Sequence, residues 1–377
     1  MRIGVPKETV EGERRVALVP EVVRKLVAAE HQVLVARGAG AEAMIPDAQF
    51  EEAGATLTDD VAAVWESDVV VKVAPPSAEE MVRLGRDSTL IGFLAPLTNV
   101  DGVRALAASG VTAFALEAVP RISRAQSMDA LSSQSNIAGY RAALMGAQEM
   151  GRFYPMLMTA AGTIRPATVL VLGAGVAGLQ AIATARRLGA VVQGFDVRAA
   201  VKEQVESLGA NFLEFDLGGD LEGEGGYAKE LTPEQQARQQ ELMAEAIGRV
   251  DVVITTALVP GRKAPILVTE DAVRRMEPGS VVVDLAGEAG GNCELSEPGQ
   301  TVIRHDVKVM APLNVPSTMA EHASQLYARN IEALLGLMVK DGALALDFDD
   351  EVIAGACVTR NGEIVHEGAK AAAGQPA

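Results

Sequence analysis

Cysteine and histidine are scarce in this 377-residue chain. Its two cysteines, Cys293 and Cys357, form neither a CxxC motif nor a disulfide framework, and this usage suits a reducing compartment. The four histidines are scattered, and none has a metal-ligand spacing to cysteines or acids. No order of serine, histidine and acid indicates nucleophilic catalysis. The sequence therefore predicts no metal site and no disulfide-stapled scaffold.

Basic side chains are also few, since 33 lysines and arginines stand against 50 acids and leave a net charge of −17. A protein that binds a phosphate backbone needs clustered lysine and arginine, so we expect no nucleic-acid partner. A nucleotide cofactor remains compatible with this charge because it needs only a local site. Apolar residues make up 49% of the chain, which excludes a disordered or fibrous protein. At about 150 residues per domain, the length suggests two domains, with three as the alternative.

Long apolar runs are absent from the amino end. There the sequence MRIGVPKETVEGERR has a brief apolar step followed by charges, unlike a signal peptide. The longest uncharged stretch, residues 166–185, is nearly long enough to span a bilayer. Its β-branched run, its glycines and its Ala-rich continuation instead favour a strand, a turn and a helix. We therefore expect a soluble chain with no direct membrane insertion.

Short apolar runs alternate with helical stretches, which indicates βαβ units and mostly parallel sheets buried on both faces. The predicted fold class is α/β, with two Rossmann-like, doubly wound parallel-sheet domains separated by a cleft. Two long predicted helices, residues 133–151 and 316–337, connect the domains, so we expect the second domain to be inserted into the first. The first domain then comprises residues 1–132 and 312–377, and the second comprises residues 133–311. The cleft is the default place for an active site.

The predicted elements follow from these runs. Strands are expected at RIGV, HQVLVA, DVVVKV, LIGFLA and TAFALEAV, and in the middle third at ATVLVLG, AVVQGFD, ANFLEF, DVVITT and SVVVDLA. Helices are expected to begin near Pro20, Pro46, Ala78 and Val100. The tail from Glu367 has little to bury and is expected to fray. The acidic run Asp349, Asp350 and Glu351 is expected to form a solvated turn.

The segment GAGVAG, from Gly173 to Gly178, fits the pattern GxGxxG. The pattern alone is weak, but here it follows the strand TVLVL and opens a helix at Val176. Gly173, Gly175 and Gly178 would allow a tight turn, close approach of the backbone to a pyrophosphate, and close packing of helix on strand. The helix amino terminus would offer free N–H groups and a partial positive charge to phosphates. A tight strand–helix turn without a ligand is the alternative.

Asp196 ends the next predicted strand, 23 positions after Gly173. An acid at this spacing accepts hydrogen bonds from the hydroxyls of the adenine-side ribose. It also disfavours NADP, because like charges about 4 Å apart repel by about 1 kcal/mol in water and by about 4 kcal/mol at an effective dielectric constant near 20. Arg198, two residues further on, could offset that repulsion. We therefore predict NAD(H) as the cofactor in preference to NADP(H), and the domain of residues 133–311 as its binding domain.

Polar side chains are dense in RISRAQSMDALSSQSNIAGYR, residues 121–141. If the second half of this segment is helical, Gln126, Asp129 and Ser132 share one face because they are spaced by three residues. A nicotinamide carboxamide has donors and an acceptor, and its ribose has two hydroxyls, so these side chains with Arg121 nearby could satisfy it. A solvated loop with helix-capping serine and aspartate is an equal alternative from the spacing alone.

Three stretches, GVPKE near the start, RISRAQSMD…SSQSNIAGYRA and VLVLGAGVAGLQAIATARRLGA, together resemble domain I of proton-translocating nicotinamide nucleotide transhydrogenase. This domain is the NAD(H)-binding part of the alpha subunit. The resemblance covers nearly the whole chain, and its RxxxxQxxD segment is far more specific than GxGxxG. It implies a nicotinamide-side loop with Arg121, Gln126 and Asp129, followed by Ser132, and a ribose-binding acid at Asp196.

The family also has a mobile, tyrosine-bearing loop over the NAD site, which here resembles LGGDLEGEGGYAKELTPE. Its glycines favour a flexible lid, because glycine loses the most conformational entropy on ordering; an ordinary surface loop is the alternative. The resemblance implies a catalytic set of Arg121, Gln126, Asp129 and Ser132. The residues expected to contact NAD(H) are Gln126, Ser127, Met128, Asp129, Gly173, Gly175, Val176, Gly178, Asp196, Val197, Arg198, Gly226 and Tyr227.

The implied activity is that of a Si/Re-specific, proton-translocating NAD(P)+ transhydrogenase that works only with partner subunits. NADH on this subunit would pass a hydride to NADP+ on a partner, and a membrane-spanning partner would couple that step to proton movement. Hydride passes between two nicotinamide C4 atoms, so the protein needs no general acid or base and must hold the rings within roughly 3–3.5 Å. The expected partners are the NADP(H)-binding and membrane-spanning subunits and a second copy in a homodimer. We expect a cytoplasmic subunit attached peripherally to the inner face of the cell membrane.

Alanine dehydrogenase shares the fold and is the main alternative, with a non-enzymatic NAD-sensing module as a second. Alanine dehydrogenase handles a keto acid and ammonia, and therefore needs a carboxylate anchor and proton-transfer groups. Arg15 and Lys72 match positions that the resemblance assigns to pyruvate binding. However, Ala95 stands where those enzymes carry a catalytic histidine, and Glu288 replaces a catalytic aspartate. Alanine cannot shuttle a proton, so we expect the arginine and the lysine to be either remnants or structural residues that pair with acids under the cleft.

Overall fold

The computed structural model describes residues 1–215 and 232–374. Its internal contacts divide the chain into two compact units. One unit comprises Met1–Gln134 together with Pro316–Ala377, and the other comprises Ser135–Val315. Along the sequence, the second unit therefore interrupts the first. The predicted domain boundaries at 132/133 and 311/312 stay a prediction.

The elements of the described residues are as follows. The helices are α1 (Pro20–Ala28), α2 (Asp47–Glu52), α3 (Val61–Trp65), α4 (Ala78–Met81), α5 (Val100–Ser109), α6 (Ala130–Glu149), α7 (Val176–Arg187), α8 (Lys202–Ser207), α9 (Pro233–Ile247), α10 (Glu270–Arg274), α11 (Ala320–Met338), α12 (Glu351–Ala356) and α13 (Glu367–Ala372). The strands are β1 (Arg2–Val5), β2 (Gln32–Ala36), β3 (Thr56–Thr58), β4 (Val69–Val71), β5 (Thr89–Gly92), β6 (Thr112–Ala115), β7 (Leu157–Thr159), β8 (Gly162–Ile164), β9 (Thr168–Leu172), β10 (Val191–Phe195), β11 (Asn211–Phe212), β12 (Val252–Thr255), β13 (Val281–Asp284), β14 (Thr301–Arg304), β15 (Val307–Met310), β16 (Val339–Lys340), β17 (Ala343–Leu344), β18 (Cys357–Arg360) and β19 (Glu363–Ile364).

The first unit is built on an eight-stranded sheet in the order β19-β18-β6-β5-β4-β1-β2-β3. Strands β1 to β6 pair in parallel, and β18 joins β6 in the antiparallel sense. Both faces are covered, because Val69 and Val71 of β4 pack into one buried cluster while Val70 packs into another. A strand buried on both faces needs apolar side chains at consecutive positions, which explains the uninterrupted valines.

The second unit is built on a seven-stranded sheet in the order β11-β10-β9-β12-β13-β15-β14. Its neighbouring strands pair in parallel except for β14, which is antiparallel to β15. Strand β9 repeats the two-sided burial, with Val169 and Val171 in one cluster and Leu170 and Leu172 in the other. Strands β7 and β8 form a separate antiparallel hairpin.

Side chains at the helix ends define several of the helices that separate these strands. Ser77 accepts a hydrogen bond from the N–H of Glu80, whose carboxylate accepts one from the N–H of Ser77, and this capping box begins α4. The side chain of Asn99 caps α5, which ends at Gly110 with a φ of +82°. That left-handed conformation favours glycine, so the sequence fixes where the helix stops.

The predicted α/β class with two mostly parallel sheets is confirmed, and each predicted strand is present. The pattern does not predict the edge strands β3 and β14, because their side chains are mostly exposed or half-buried and form no apolar run. The fraying expected after Glu367 is wrong, because α13 forms there, capped by His366 and anchored by the buried Ala369. No helix among residues 1–215 and 232–374 is long and apolar enough to cross a bilayer.

The two long connecting helices begin elsewhere than predicted. Helix α6 begins at Ala130 rather than at residue 133, because the side chain of Asp129 accepts hydrogen bonds in its first turn. Helix α11 begins at Ala320 rather than at residue 316, because Val315–Met319 forms a tighter 3-10 helix first. A capping side chain thus sets the start of α6, whereas α11 has no side-chain cap and follows directly on the 3-10 helix.

Candidate functional site

The turn between β9 and α7 contains the three glycines of the GxGxxG pattern. Gly173 has a φ of +98°, and a Cβ placed on it would lie 2.6 Å from Thr256 Oγ1. A Cβ on Gly178 would collide with the carbonyl oxygen of Gly173. Glycine at these two positions is therefore required by the backbone conformation and by the packing of α7 against the turn.

Gly175 differs from the other two glycines, because nothing in the fold requires it. Its φ of −76° is open to any residue, and a Cβ placed on it would meet no atom within 4 Å. It stands at the amino end of α7, where the first N–H groups of a helix have no partner within the helix and the partial charge is positive. The open cradle at this helix end fits a dinucleotide pyrophosphate, with the exposed Val176 as the first helical residue.

The carboxylate of Asp196 lies directly after β10 and contacts the same turn. Its Oδ2 accepts a hydrogen bond of 2.7 Å from the N–H of Ala174, and its Oδ1 accepts one of 2.9 Å from the N–H of Arg198. The Arg198 guanidinium adds two more at 2.9 Å, one to each oxygen. Partial burial alone would raise the pKa of Asp196, but these hydrogen bonds outweigh it and hold the pKa below its usual value. The structure thus brings the glycine turn, Asp196 and Arg198 together, with Val197 exposed beside them.

The polar segment of the first unit is not one helix. A 3-10 helix, Ser123–Met128, ends at Asp129, and α6 begins immediately after it. Asp129 accepts hydrogen bonds of 2.8 Å from the N–H and 2.6 Å from the hydroxyl of Ser132. The expectation that Gln126 shares a helical face with Asp129 and Ser132 is therefore wrong, because the capping aspartate separates two helices.

Several predicted nicotinamide-side groups are nevertheless accessible. Arg121, Gln126 and Ser127 are exposed, whereas Met128 is buried under the segment. Within the described part of the chain, the side chains of Arg121 and Gln126 make no hydrogen bond with protein. A guanidinium and an amide in this state keep their full donor and acceptor capacity for a ligand. These residues belong to the first unit, whereas the glycine turn belongs to the second.

Two residues distant in sequence hold this segment in place, and sequence reasoning missed both. The Arg124 guanidinium donates to both carboxylate oxygens of Asp350, at 2.8 and 2.9 Å. The amide of Asn330 donates to the carbonyl of Ser127 at 2.8 Å and accepts from the hydroxyl of Ser133 at 2.8 Å. No local pattern reveals either partner, since they lie about 200 residues away along the chain.

The acidic run that contains Asp350 was expected to form a solvated turn, but Asp350 has two structural partners. It caps α12 by accepting from the N–H groups of Val352 and Ile353, and it pairs with Arg124. Hydrogen bonding to Arg124 is the main cause that lowers the pKa of Asp350 to about 2. The carboxylate therefore stays ionised over the physiological range and keeps the segment tied to α12.

Arg15 and Lys72 are buried and paired with acids, and this expectation is confirmed. Arg15 donates to Glu13 at 2.6 and 2.8 Å and to Gln134 at 2.9 Å. Lys72 lies 2.9 Å from Glu8 and 3.4 Å from Glu80. Removing one partner of such a buried pair would leave an uncompensated charge, which is strongly destabilising.

The two positions that depart from the alanine dehydrogenase pattern have structural roles. Ala95 has a φ of +51°, and its N–H donates to the buried carboxyl of Glu117 at 2.5 Å. Burial raises the pKa of Glu117. Glu288 accepts a hydrogen bond of 2.7 Å from the N–H of Asn314. Ala95 itself carries no titratable group, so this position supplies no proton.

The remaining expectations concern the lid residues and a metal site. Gly226 and Tyr227, the predicted lid residues, lie outside the described residues. No group of three or more histidine, cysteine, aspartate or glutamate side chains in residues 1–215 and 232–374 is arranged to hold a metal ion.

Comparison with known proteins defines the class to which this fold and site belong. Residues 4–138 match the family description "Alanine dehydrogenase/PNT, N-terminal domain", and residues 142–367 match "Alanine dehydrogenase/PNT, C-terminal domain". The chain belongs to the alanine dehydrogenase/PNT family.

Both transhydrogenases and alanine dehydrogenases of that family are similar to the chain. It is 52% identical over 376 residues to the first part of NAD(P) transhydrogenase subunit alpha of Rhodospirillum rubrum, with 97% of this chain and 98% of the relative covered. A solved transhydrogenase structure from Sinorhizobium meliloti has a TM-score of 0.85 and 44% identity, covering 97% of this chain and 99% of that one. An L-alanine dehydrogenase structure has a TM-score of 0.84 and 29% identity, covering 99% of each. The predicted resemblance, the Rossmann-like architecture and the NAD(H) cofactor are confirmed.

The glycine turn yields a matched pair of substitutions. Gly175→Ala should leave the melting temperature nearly unchanged, because the added methyl meets no protein atom, and should weaken NADH binding about tenfold by occupying the space of the pyrophosphate. Gly178→Ala should instead lower the free energy of unfolding by about 1–3 kcal/mol, because its methyl collides with Gly173. Calorimetric titration and thermal unfolding measure both. Unchanged NADH affinity in Gly175→Ala would contradict a pyrophosphate at this turn.

Proposed function

We propose that the chain is the NAD(H)-binding subunit of a proton-translocating transhydrogenase. In this proposal, NADH bound here passes a hydride to NADP+ held by a partner subunit, and a membrane-spanning partner couples the step to proton translocation. The name and high identity of the Rhodospirillum rubrum relative support this proposal. The complex would lie at the cytoplasmic face of the cell membrane, with this chain attached through its partners.

The observation that carries the proposal is the chemistry of position 95. Hydride transfer moves one hydrogen with its electron pair from C4 of NADH to C4 of NADP+, and it yields NAD+ and NADPH with no proton taken up or released. Amino-acid oxidation differs, because proton transfer accompanies formation of the keto acid and ammonia. Ala95 has no group that can carry a proton, which suits the first reaction. The protein then has only to bind, orient and expose the ring.

The proposed roles divide between the two units. Gly173, Gly175 and Gly178 would receive the pyrophosphate at α7, and Asp196 would bind the adenine-side ribose. Gln126 and Arg121 would orient the nicotinamide carboxamide and its ribose, with Ser127 and Met128 beside them.

Asp129 would act with Ser132 as a preorganised pair, because their side chains already share a hydrogen bond of 2.6 Å. Si/Re specificity would follow from the ring face that the partner receives.

Alanine dehydrogenase remains a second candidate, because an L-alanine dehydrogenase structure matches over 99% of the chain and because Arg15 and Lys72 are both present. Its reaction requires these cations to hold a substrate carboxylate. Here Glu13 contacts the arginine, while Glu8 and Glu80 contact the lysine. This internal pairing favours the transhydrogenase.

One assay separates the candidates. The purified chain is mixed with NADH and an NADP(H)-binding partner subunit loaded with thio-NADP+, whose reduced form absorbs at a longer wavelength. Hydride transfer is expected only in this mixture. A second reaction supplies NADH, pyruvate and ammonium without the partner, and NADH oxidation there would overturn the proposal in favour of the dehydrogenase. Binding of NADH with no reaction in either mixture would indicate a sensing module.

Gln126→Asn should slow hydride transfer about tenfold while changing the dissociation constant of NADH less than twofold, because one methylene displaces the amide from the ring but not the dinucleotide from its turn. Stopped-flow transfer rates and calorimetric titration give the two quantities. Gln49→Asn makes the same change on the exposed face of α2 and should affect neither. An unaltered rate in Gln126→Asn would remove this side chain from the site.

A homodimer is part of the proposal, and the β7–β8 hairpin is its proposed contact. Among the described strands, no third strand pairs with this hairpin, and Met156, Met158 and Ile164 on it are 58%, 74% and 47% exposed. An isolated two-stranded hairpin is only marginally stable in water, and a second copy covering its apolar side chains would stabilise it.

Met158→Glu should therefore shift the chain from dimer towards monomer in sedimentation equilibrium, because a charge would be buried in the contact. Met44→Glu, at a methionine that is 71% exposed in the first unit, serves as the matched control and should leave the dimer intact. A wild-type chain that sediments as a monomer at micromolar concentration would contradict the homodimer itself.

A further inference from the structure

Protein groups already use the full acceptor capacity of the Asp196 carboxylate. A carboxylate offers about four acceptor directions, two on each oxygen. Here four N–H groups occupy them, namely the backbone N–H groups of Ala174 and Arg198 and the Nε and Nη2 of the Arg198 guanidinium. A ribose that presents two hydroxyl donors to this carboxylate must therefore displace two of these four.

The two sets of donors differ in how easily they leave. The backbone N–H groups belong to the glycine turn and to the chain after β10, and removing them would move the backbone. The guanidinium belongs to a side chain that is 60% exposed, whereas the carboxylate side chain is 7% exposed. The guanidinium can therefore swing into water without opening the fold.

The guanidinium also resembles the expected ligand in shape. It places one N–H on each carboxylate oxygen, in the parallel two-pronged arrangement that arginine forms with carboxylates. Two hydroxyls on adjacent ribose carbons would donate to the same two oxygens in the same way. Arg198 thus fills the place of the ribose diol.

We propose that Arg198 is an internal competitor of the adenine-side ribose and a determinant of dinucleotide specificity. NADH binds Asp196 by displacing the guanidinium, which then lies beside the ribose 2′ position. A dinucleotide with a 2′-phosphate lacks one of the two hydroxyl donors, but it offers the displaced guanidinium an anion. Arg198 therefore weakens NADH binding and strengthens NADPH binding. This inference rests on the proposed role of Asp196 as the ribose ligand.

The proposal predicts opposite changes for two ligands in one variant. Arg198→Met removes the competitor and the cation but keeps an unbranched side chain. The dissociation constant of NADH should fall about twofold to fivefold, because the ion pair between the exposed guanidinium and Asp196 no longer has to be broken. The dissociation constant of NADPH should rise by about fivefold, because its 2′-phosphate loses a cation and still faces Asp196. A structural defect would weaken both ligands together.

The measurement is calorimetric titration of the full chain with NADH and NADPH, repeated with ADP-ribose and its 2′-phosphate to isolate the adenosine end. Arg187→Met is the matched control, since it removes an exposed arginine from the carboxyl end of α7 and should leave the ratio of the two constants unchanged.

Equal shifts for both ligands in Arg198→Met, or none, would overturn the inference. Other outcomes would contradict the proposed ribose site itself. If the wild-type chain binds no NADH, or if Asp196→Ala leaves the preference for NADH over NADPH unchanged, Asp196 does not bind the ribose at all.

Discussion

The close approach of backbone to backbone at the amino end of α7 is the constraint on which the second unit depends. Gly178 allows α7 to begin against the carbonyl of Gly173, and a Cβ on Gly139 of α6 would collide with the carbonyl of Ala177. Helix α6 therefore packs directly on the first turn of α7. Side chains are excluded from both contacts, whereas Gly175 of the same turn faces open space, which suits the proposed pyrophosphate.

A corresponding constraint in the first unit is the return of the chain after residue 315. Helix α11 supplies Asn330, which holds the carbonyl of Ser127, and the start of α12 supplies Asp350, which holds Arg124. The exposed groups at Arg121 and Gln126 thus stand on a segment fixed from both sides by a part of the chain far away in sequence. A loop held in this way can present polar groups to a ligand without the entropy cost of ordering itself.

Two buried cations in the polar interior of the first unit have their charges satisfied by acids of the same unit. Arg15 and Lys72 are retained and paired with acids, so the charges are satisfied without a substrate. The nearby turn at Ala95 keeps its left-handed conformation through the carboxyl of Glu117, although its side chain carries no proton-transfer group. The ion pairs and the Ala95 turn are thus satisfied by the protein itself and need no bound substrate.

The sequence by itself determined the α/β class, the glycine turn and the acid after β10, because these depend on apolar periodicity and on spacings within one βαβ unit. Only the tertiary structure decided which polar groups meet. It divided the segment of residues 121–141 at Asp129, paired Arg124 with Asp350, and showed that N–H groups of Ala174 and Arg198 already saturate the carboxylate of Asp196. The edge strands β3 and β14 and the terminal helix α13 belong to the same group. A local pattern of apolar residues predicts which face of one helix or strand is buried. The partner of a polar side chain depends instead on packing between residues that are far apart in the sequence.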